Sequence, residues 1–284
     1  MATRFDAEIL SVDSRQVYRY LDIGTAKPSA AERKLVPHHL LDVVAPDAPY
    51  SAVQFREDAE RALVDIKRRG RVALMVGGTG HYFQVVLDRL EIPPVPPQES
   101  FRREMEAFAR ENGYQALHDR LREIDPAAAE FVAPTNVRRV IRALEVVRVT
   151  GVPFSDLGRR RGEPVPALRI ALTTERACLH RKIDERVEQQ IRDGLIEEAR
   201  AVLEMGFDPG LPPLAGLVYR EASAVVHGRM TLDDARRRMK ETTHAYAKRQ
   251  YTWLRKDPLV RWVETEPEAF EEVSSAVGEY LASR

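Results

Sequence analysis

Val72-Ala73-Leu74-Met75-Val76, running into Gly77-Gly78-Thr79-Gly80, decides the fold class. Five consecutive apolar residues suggest a strand buried on both faces, as in a parallel sheet covered by helices. The glycines turn the chain, and a helical pattern follows. Upstream, Ser51 with Gln54 three residues later is a capping box. Phe55, Ala59, Leu63 and Ile66 then recur at helical spacing. Further back, His39-Leu40-Leu41-Asp42-Val43-Val44 and Glu8-Ile9-Leu10-Ser11-Val12 read as two more strands, with Asp13 at the end of the first. This rhythm is that of an α/β fold with a parallel sheet.

Downstream the pattern changes. Ile92-Pro93-Pro94-Val95-Pro96-Pro97 is a proline-rich hinge, and the charged stretch beyond it, to about residue 160, reads as wholly helical. It is expected to be an inserted helical subdomain, residues 97–160, in an α/β core made of 1–96 and 161–284. A strand returns at Leu168–Leu172. A long amphipathic helix follows, with Ile183, Val187, Ile191 and Leu195 on one face, then a very basic helix over roughly 231–255 and a final strand at Val260–Val263.

Composition is ordinary for a globular chain: 284 residues, 44% hydrophobic and 31% charged. Lys plus Arg balances Asp plus Glu at 44 each, so any basic surface must come from clustering. The single cysteine, Cys178, excludes an internal disulfide or a Cys-based zinc cluster and suits a reducing cytoplasm. No stretch approaches a membrane span, and Met1–Ala7 is not a signal peptide. The seven histidines show no metal-ligand spacing.

Three segments carry chemistry. In an open parallel sheet, ligands bind beyond the carboxyl ends of the strands. Asp13 is placed there, either as a base or as a cap on the next helix. Asp22-Ile23-Gly24-Thr25-Ala26-Lys27-Pro28 gathers a glycine, a hydroxyl and a lysine that could meet phosphate. Thr79 would present its hydroxyl from a glycine turn that is either a ligand approach or a plain strand-to-helix connection; no Gly-Lys-Ser/Thr follows, so it is not a P-loop. Basic residues cluster at Arg138, Arg139 and Arg142, and again at Arg236–Arg238, Lys240, Lys248, Arg249, Arg255 and Lys256, with Tyr246, Tyr251 and Trp253 interleaved. Such a mixture binds RNA by neutralising phosphates and stacking bases, or is a solvated helix with its aromatics in the core.

The order of these pieces is more specific than any one of them. Ser11-Val12-Asp13-Ser14-Arg15-Gln16-Val17-Tyr18, Asp22 to Pro28, His38-His39-Leu40-Leu41-Asp42, Tyr50-Ser51-Ala52 and Val76-Gly77-Gly78-Thr79-Gly80-His81-Tyr82-Phe83 resemble the tRNA dimethylallyltransferases. So do Arg139-Val140-Ile141-Arg142-Ala143-Leu144-Glu145-Val146 and Tyr246-Ala247-Lys248-Arg249-Gln250-Tyr251-Thr252-Trp253-Leu254-Arg255. The resemblance is collinear over nearly the whole chain.

It implies transfer of a dimethylallyl group from its diphosphate to N6 of adenine 37 in the tRNA anticodon stem-loop, with magnesium shielding the diphosphate. Asp13 matches the catalytic aspartate and Thr79 the threonine beside the reacting groups. Asp13, Ser14, Arg15 and Gln16 match the segment that reads the extruded adenine. Arg102, Arg138, Arg139, Val140, Ile141 and Arg142 match tRNA contacts. Thr25 and Lys27 are assigned to diphosphate, and Lys248 and Arg249 to diphosphate or tRNA phosphates. A monomer is expected. The implied fold is a P-loop-type parallel sheet flanked by helices, with the all-helical insertion, but the family's first strand and P-loop are expected to be absent from this chain. His81, Val218 and Ala215 also depart from the family pattern. The alternatives are a truncated, catalytically impaired tRNA-binding remnant, a transferase acting on free adenine nucleotides, a nucleotide kinase, and a non-catalytic RNA-binding protein.

Overall fold

The computed structural model describes residues 1–284 except 94, 158–161, 266 and 284. Its first elements are strand β1 (Ala7–Val12), helix α1 (Ala30–Leu35), strand β2 (His38–His39), helix α2 (Ala52–Arg68), strand β3 (Val72–Gly77) and helix α3 (Gly80–Leu87). Helices α4 (Glu99–Ile124), α5 (Pro126–Phe131) and α6 (Val137–Thr150) follow. The chain then continues through β4 (Arg169–Thr173), α7 (Arg176–Arg192), α8 (Leu195–Glu204), α9 (Leu217–Val226), α10 (Leu232–Leu254), β5 (Val260–Glu264) and α11 (Ala269–Ala282). Two compact units result: Met1–Phe83 with Pro166–Arg284, and Gln84–Val165. The second starts inside α3, upstream of the proline run. The Val165 N–H donates to the Leu87 carbonyl at 2.7 Å and ties its two ends together.

In the larger unit every strand pairing is parallel, as the sequence rhythm requires, but the strands form two sheets. One has the order β2-β1-β3 and the other is β4-β5. β1 is the central strand, and Leu10 and Val12 within it are fully buried. Glu8 is also buried on β1; Arg69 clasps its carboxylate at 2.8 and 2.7 Å, and His39 meets it at 2.6 Å. The Arg69 hydrogen bonds outweigh the burial and hold the Glu8 carboxyl at about 2.

Two strand expectations are corrected. β3 is not buried on both faces: Val72 to Met75 are half-buried and Val76 is 54% exposed. It is an edge strand, whose far side pairs with no strand among the described residues. Leu172 on β4 is likewise 59% exposed. The run His39–Val44 is not a strand beyond His39, because Leu40 and Asp42 sit at φ +63° and +57°. The second left-handed residue turns the Asp42 carboxylate onto Lys27 and Arg33. The long amphipathic helix through Leu195 is really two helices, broken at Gly194 with φ +100°, a conformation that glycine adopts without strain.

The core of this unit joins Val17, Tyr18 and Leu21 after β1 to Val187, Leu195, Val202, Tyr219 and Met239 of the late helices. The helical unit has its own core, in which Met105, Leu117 and Leu121 of α4 meet Val140, Ile141 and Leu144 of α6. No described helix is long and apolar enough to cross a membrane.

Candidate active site at the strand tips

Parallel pairing brings the ends of β1 and β3 side by side, with Val12 opposite Gly77. The next residues on each strand are therefore neighbours. The Thr79 N–H donates to the Val12 carbonyl at 3.1 Å, and the Ser14 N–H donates to Thr79 Oγ1 at 3.0 Å. Thr79 Oγ1 lies 3.3 Å from Ser14 Oγ. The glycines make this approach possible, because a Cβ on Gly77 would collide with the backbone of Val12.

Asp13 caps no helix; the next one begins at Ala30. Instead its Oδ1 accepts the N–H groups of Arg15 at 2.7 Å and Gln16 at 3.3 Å, closing a tight turn. Among the described residues Oδ2 accepts no hydrogen bond, and the side chain is half-buried. One oxygen is thus fixed by backbone while the other is left to act.

Helix α10 covers the turn. Gln250 Nε2 donates to the Gly78 carbonyl at 3.2 Å, and Trp253 lies where a Cβ on Gly80 would be. Tyr246 lies beside Thr79 and Gln250; burial first, then the charge of Asp13, push its phenol up, so it stays protonated. The interleaved aromatics therefore divide. Tyr246 faces the strand tips, whereas Tyr251 stacks on Trp262 at 5.5 Å and bonds the Thr173 hydroxyl at 2.9 Å. The cations of α10 divide too. Arg236 and Lys240 pair with Glu188, and Arg237 pairs with Asp234. Lys248 and Arg249 are exposed and have no carboxylate partner among the described residues, and Arg249 lies 5.6 Å from the Tyr246 ring.

The other proposed ligands fall in places that bear on their roles. Arg15 reaches the Pro212 carbonyl and fills the space beside Gly216. Gln16 turns inward: Nε2 donates to the carbonyls of Thr25 and Ala26 at 3.1 Å each, and Oε1 accepts from Ser11 Oγ at 2.9 Å. Thr25 Oγ1 donates to the Leu21 carbonyl at 2.6 Å. The Lys27 ammonium is buried and donates to Tyr18 O, Asp22 and Asp42 at 2.6 to 2.7 Å. Thr25 and Lys27 hold their loop together. Sequence reasoning missed the residues that grip this loop from outside, Gln190, Glu198 and Tyr219. They lie more than 160 positions away, and nothing in their local pattern points back to it. Val218, a departure from the family pattern, is a core residue at 3% exposure.

In the helical unit, α6 carries both kinds of arginine. Asn136 caps its start by accepting the Arg139 N–H at 3.3 Å, and Arg138 and Arg139 are exposed in the first turn. Val140 and Ile141 are closed into the core, so their side chains serve to place those arginines. Arg142 and Arg102 converge on the fully buried Glu145, Arg142 at 2.5 Å and Arg102 at 2.7 and 2.9 Å.

Residues 16–257 match the model of the IPP transferase family. The tRNA dimethylallyltransferase of Roseiflexus sp. (strain RS-1) is 47% identical over 260 residues, 92% of this chain and 85% of that protein. The crystal structure of the full-length tRNA isopentenylpyrophosphate transferase from Bacillus halodurans superposes with a TM-score of 0.71 at 37% identity, over 99% of this chain and 89% of that one. A eukaryotic dimethylallyltransferase acting on tRNA shares the fold, with a TM-score of 0.80 at 24% identity over all of this chain and 75% of that one. A family model matched over most of the chain, and a relative 47% identical over 92% of it, show that the chain belongs to the IPP transferase family.

Proposed function

We propose that this protein transfers a dimethylallyl group from dimethylallyl diphosphate to N6 of adenine 37 in the tRNA anticodon loop. The observation that carries the reading is the open Oδ2 of Asp13 at the tip of β1, beside Thr79 and beneath Tyr246. The exocyclic amine is a weak nucleophile because its lone pair is delocalised into the ring. As N6 bonds to carbon 1 of the dimethylallyl group, the carbon–oxygen bond to diphosphate breaks and the diphosphate leaves with the electron pair. The surplus N6 proton passes to Asp13 Oδ2, a general-base step. The adenine must leave its stack to arrive there, and the segment from Asp13 to Gln16 receives it.

Lys248 and Arg249 neutralise diphosphate or tRNA phosphate, and Arg138 and Arg139 meet tRNA from the helical unit. Thr25, Lys27, Arg102 and Arg142 act by holding these surfaces in shape. The chemistry a magnesium ion would supply is neutralisation of the leaving diphosphate. Among the described residues no group of three or more His, Cys, Asp or Glu side chains is set to hold a cation. The ion would then be carried mainly by diphosphate oxygens and water, the usual habit of magnesium, which leaves Asp13 Oδ2 to the N6 proton. The exposed arginines and lysine favour a large RNA over a free nucleotide. The protein is proposed to work as a monomer in the cytoplasm, where tRNA is available.

Labelled dimethylallyl diphosphate offered with tRNA and, separately, with AMP tests the reading. Label is expected on tRNA; label on AMP alone, or on neither, overturns it.

A further inference from the structure

Three successive backbone N–H groups, those of Asp22, Ile23 and Gly24, point to one spot. Such a concavity binds anions, and here a side chain from a distant helix fills it. Glu198 Oε2 accepts from Asp22 N at 2.9 Å and Ile23 N at 2.8 Å. Glu198 Oε1 accepts from Gly24 N at 3.2 Å and from the Tyr219 hydroxyl at 2.5 Å. The four acceptor sites of one carboxylate are thus matched by four donors. Burial, then the Glu198 charge, push the Tyr219 phenol up, so it remains a donor. The Tyr219 ring fills the space beside Gly24, where a Cβ would lie 2.5 Å from it. Gln190 Nε2 completes the grip by donating to the Ile23 and Gly24 carbonyls at 2.8 and 3.2 Å.

The gripped loop leads directly to the site. Its Thr25 and Ala26 carbonyls hold the Gln16 amide, and the Gln16 N–H is bonded to Asp13 Oδ1. We propose that Glu198 is a positioning residue: it stands in for an anion in the Asp22–Gly24 concavity and, through the loop and Gln16, sets the orientation of the adenine-reading segment. The proposal rests on the transferase reading above. It also leaves these three backbone N–H groups no open anion site, since the concavity is filled from within.

Glu198→Gln places an amide N–H against backbone donors and loosens the loop. Tyr219→Phe keeps the ring and removes one donor, which guards against a variant that fails to fold. With tRNA and dimethylallyl diphosphate, Glu198→Gln is expected to lower kcat/KM roughly 10- to 100-fold, the scale of a displacement near 1 Å, and Tyr219→Phe by less. Because the effect passes through Gln16, the Gln16→Ala/Glu198→Gln double variant is expected to be little worse than Gln16→Ala alone. Hydrogen exchange at Asp22–Gly24 is expected to quicken in Glu198→Gln. Additive losses in the double variant, or unchanged exchange at these three amides, overturn the proposal. A folded wild-type chain that transfers nothing overturns the transferase reading instead, and amide exchange then decides alone whether Glu198 holds the loop.

Discussion

The base role proposed for Asp13 depends on an asymmetry between its two oxygens. Backbone N–H groups hold Oδ1, which fixes the carboxylate in place without consuming Oδ2. Asp13→Asn preserves the turn, because the amide oxygen still accepts, but it puts an NH2 group where the proton must go. General-base contributions run to about 100- to 10,000-fold, so the variant is expected to lose at least about 100-fold in transfer rate while binding tRNA with near wild-type affinity. Turnover close to wild type in a single-turnover assay would remove Asp13 from the base role. The places of Asp13 and Thr79 were legible in the sequence because each follows a recognisable strand, and adjacent parallel strands bring their ends together; their roles came only from the family resemblance. Glu198 was not legible. Three of its four partners are backbone N–H groups, which leave no trace in residue identity, and the fourth, Tyr219, is brought to it by packing.

Among the elements, α6 shows how one helix serves two ends. Arg138 and Arg139 are exposed in its first turn, whereas Arg142, one turn on from Arg138 and so on the same face, reaches Glu145. Burial alone would raise the Glu145 carboxyl, but donors from Arg102, the Gln98 N–H and Arg142 outweigh it and hold the group at about 2. A carboxyl whose folded pKa lies below the ordinary 4.5 stabilises the fold fully above that pH, and its contribution drains away as pH falls from 4.5 towards 2. Urea midpoints are therefore expected to drop across that window. Glu145→Ala, which strands two guanidinium groups, is expected to cost about 3 kcal/mol at neutral pH and to flatten the drop; an unchanged pH profile in the variant would contradict this. The sequence showed a helical stretch containing α6 and a basic helix at α10, but it did not say which cations would find carboxylates. Lys240 and Arg236 are engaged because Glu188 of α7 lies opposite them, and that packing is a tertiary fact.

At the scale of the whole molecule, charge balance conceals several exposed cations. Net charge is zero, yet Arg138, Arg139, Lys248 and Arg249 all face solvent. If each displaces one counterion from RNA, log affinity for tRNA falls against log salt with a slope of about −3. Lys248→Ala is expected to reduce the slope by roughly one; a flat wild-type response would rule out the phosphate-binding surface. The α/β class and the parallel pairing were legible from the alternation of strands and helices. The division into two sheets was not, since an apolar run such as Val72–Val76 looks the same in the middle of a sheet as at its margin. That margin has a practical cost. An unpaired strand edge carrying Val76, and a second sheet showing Leu172, are templates onto which other chains can add strands. Concentrated solutions of this protein should therefore turn cloudy, first when warmed, and lysines at both positions together should keep them clear, as light scattering against concentration would register.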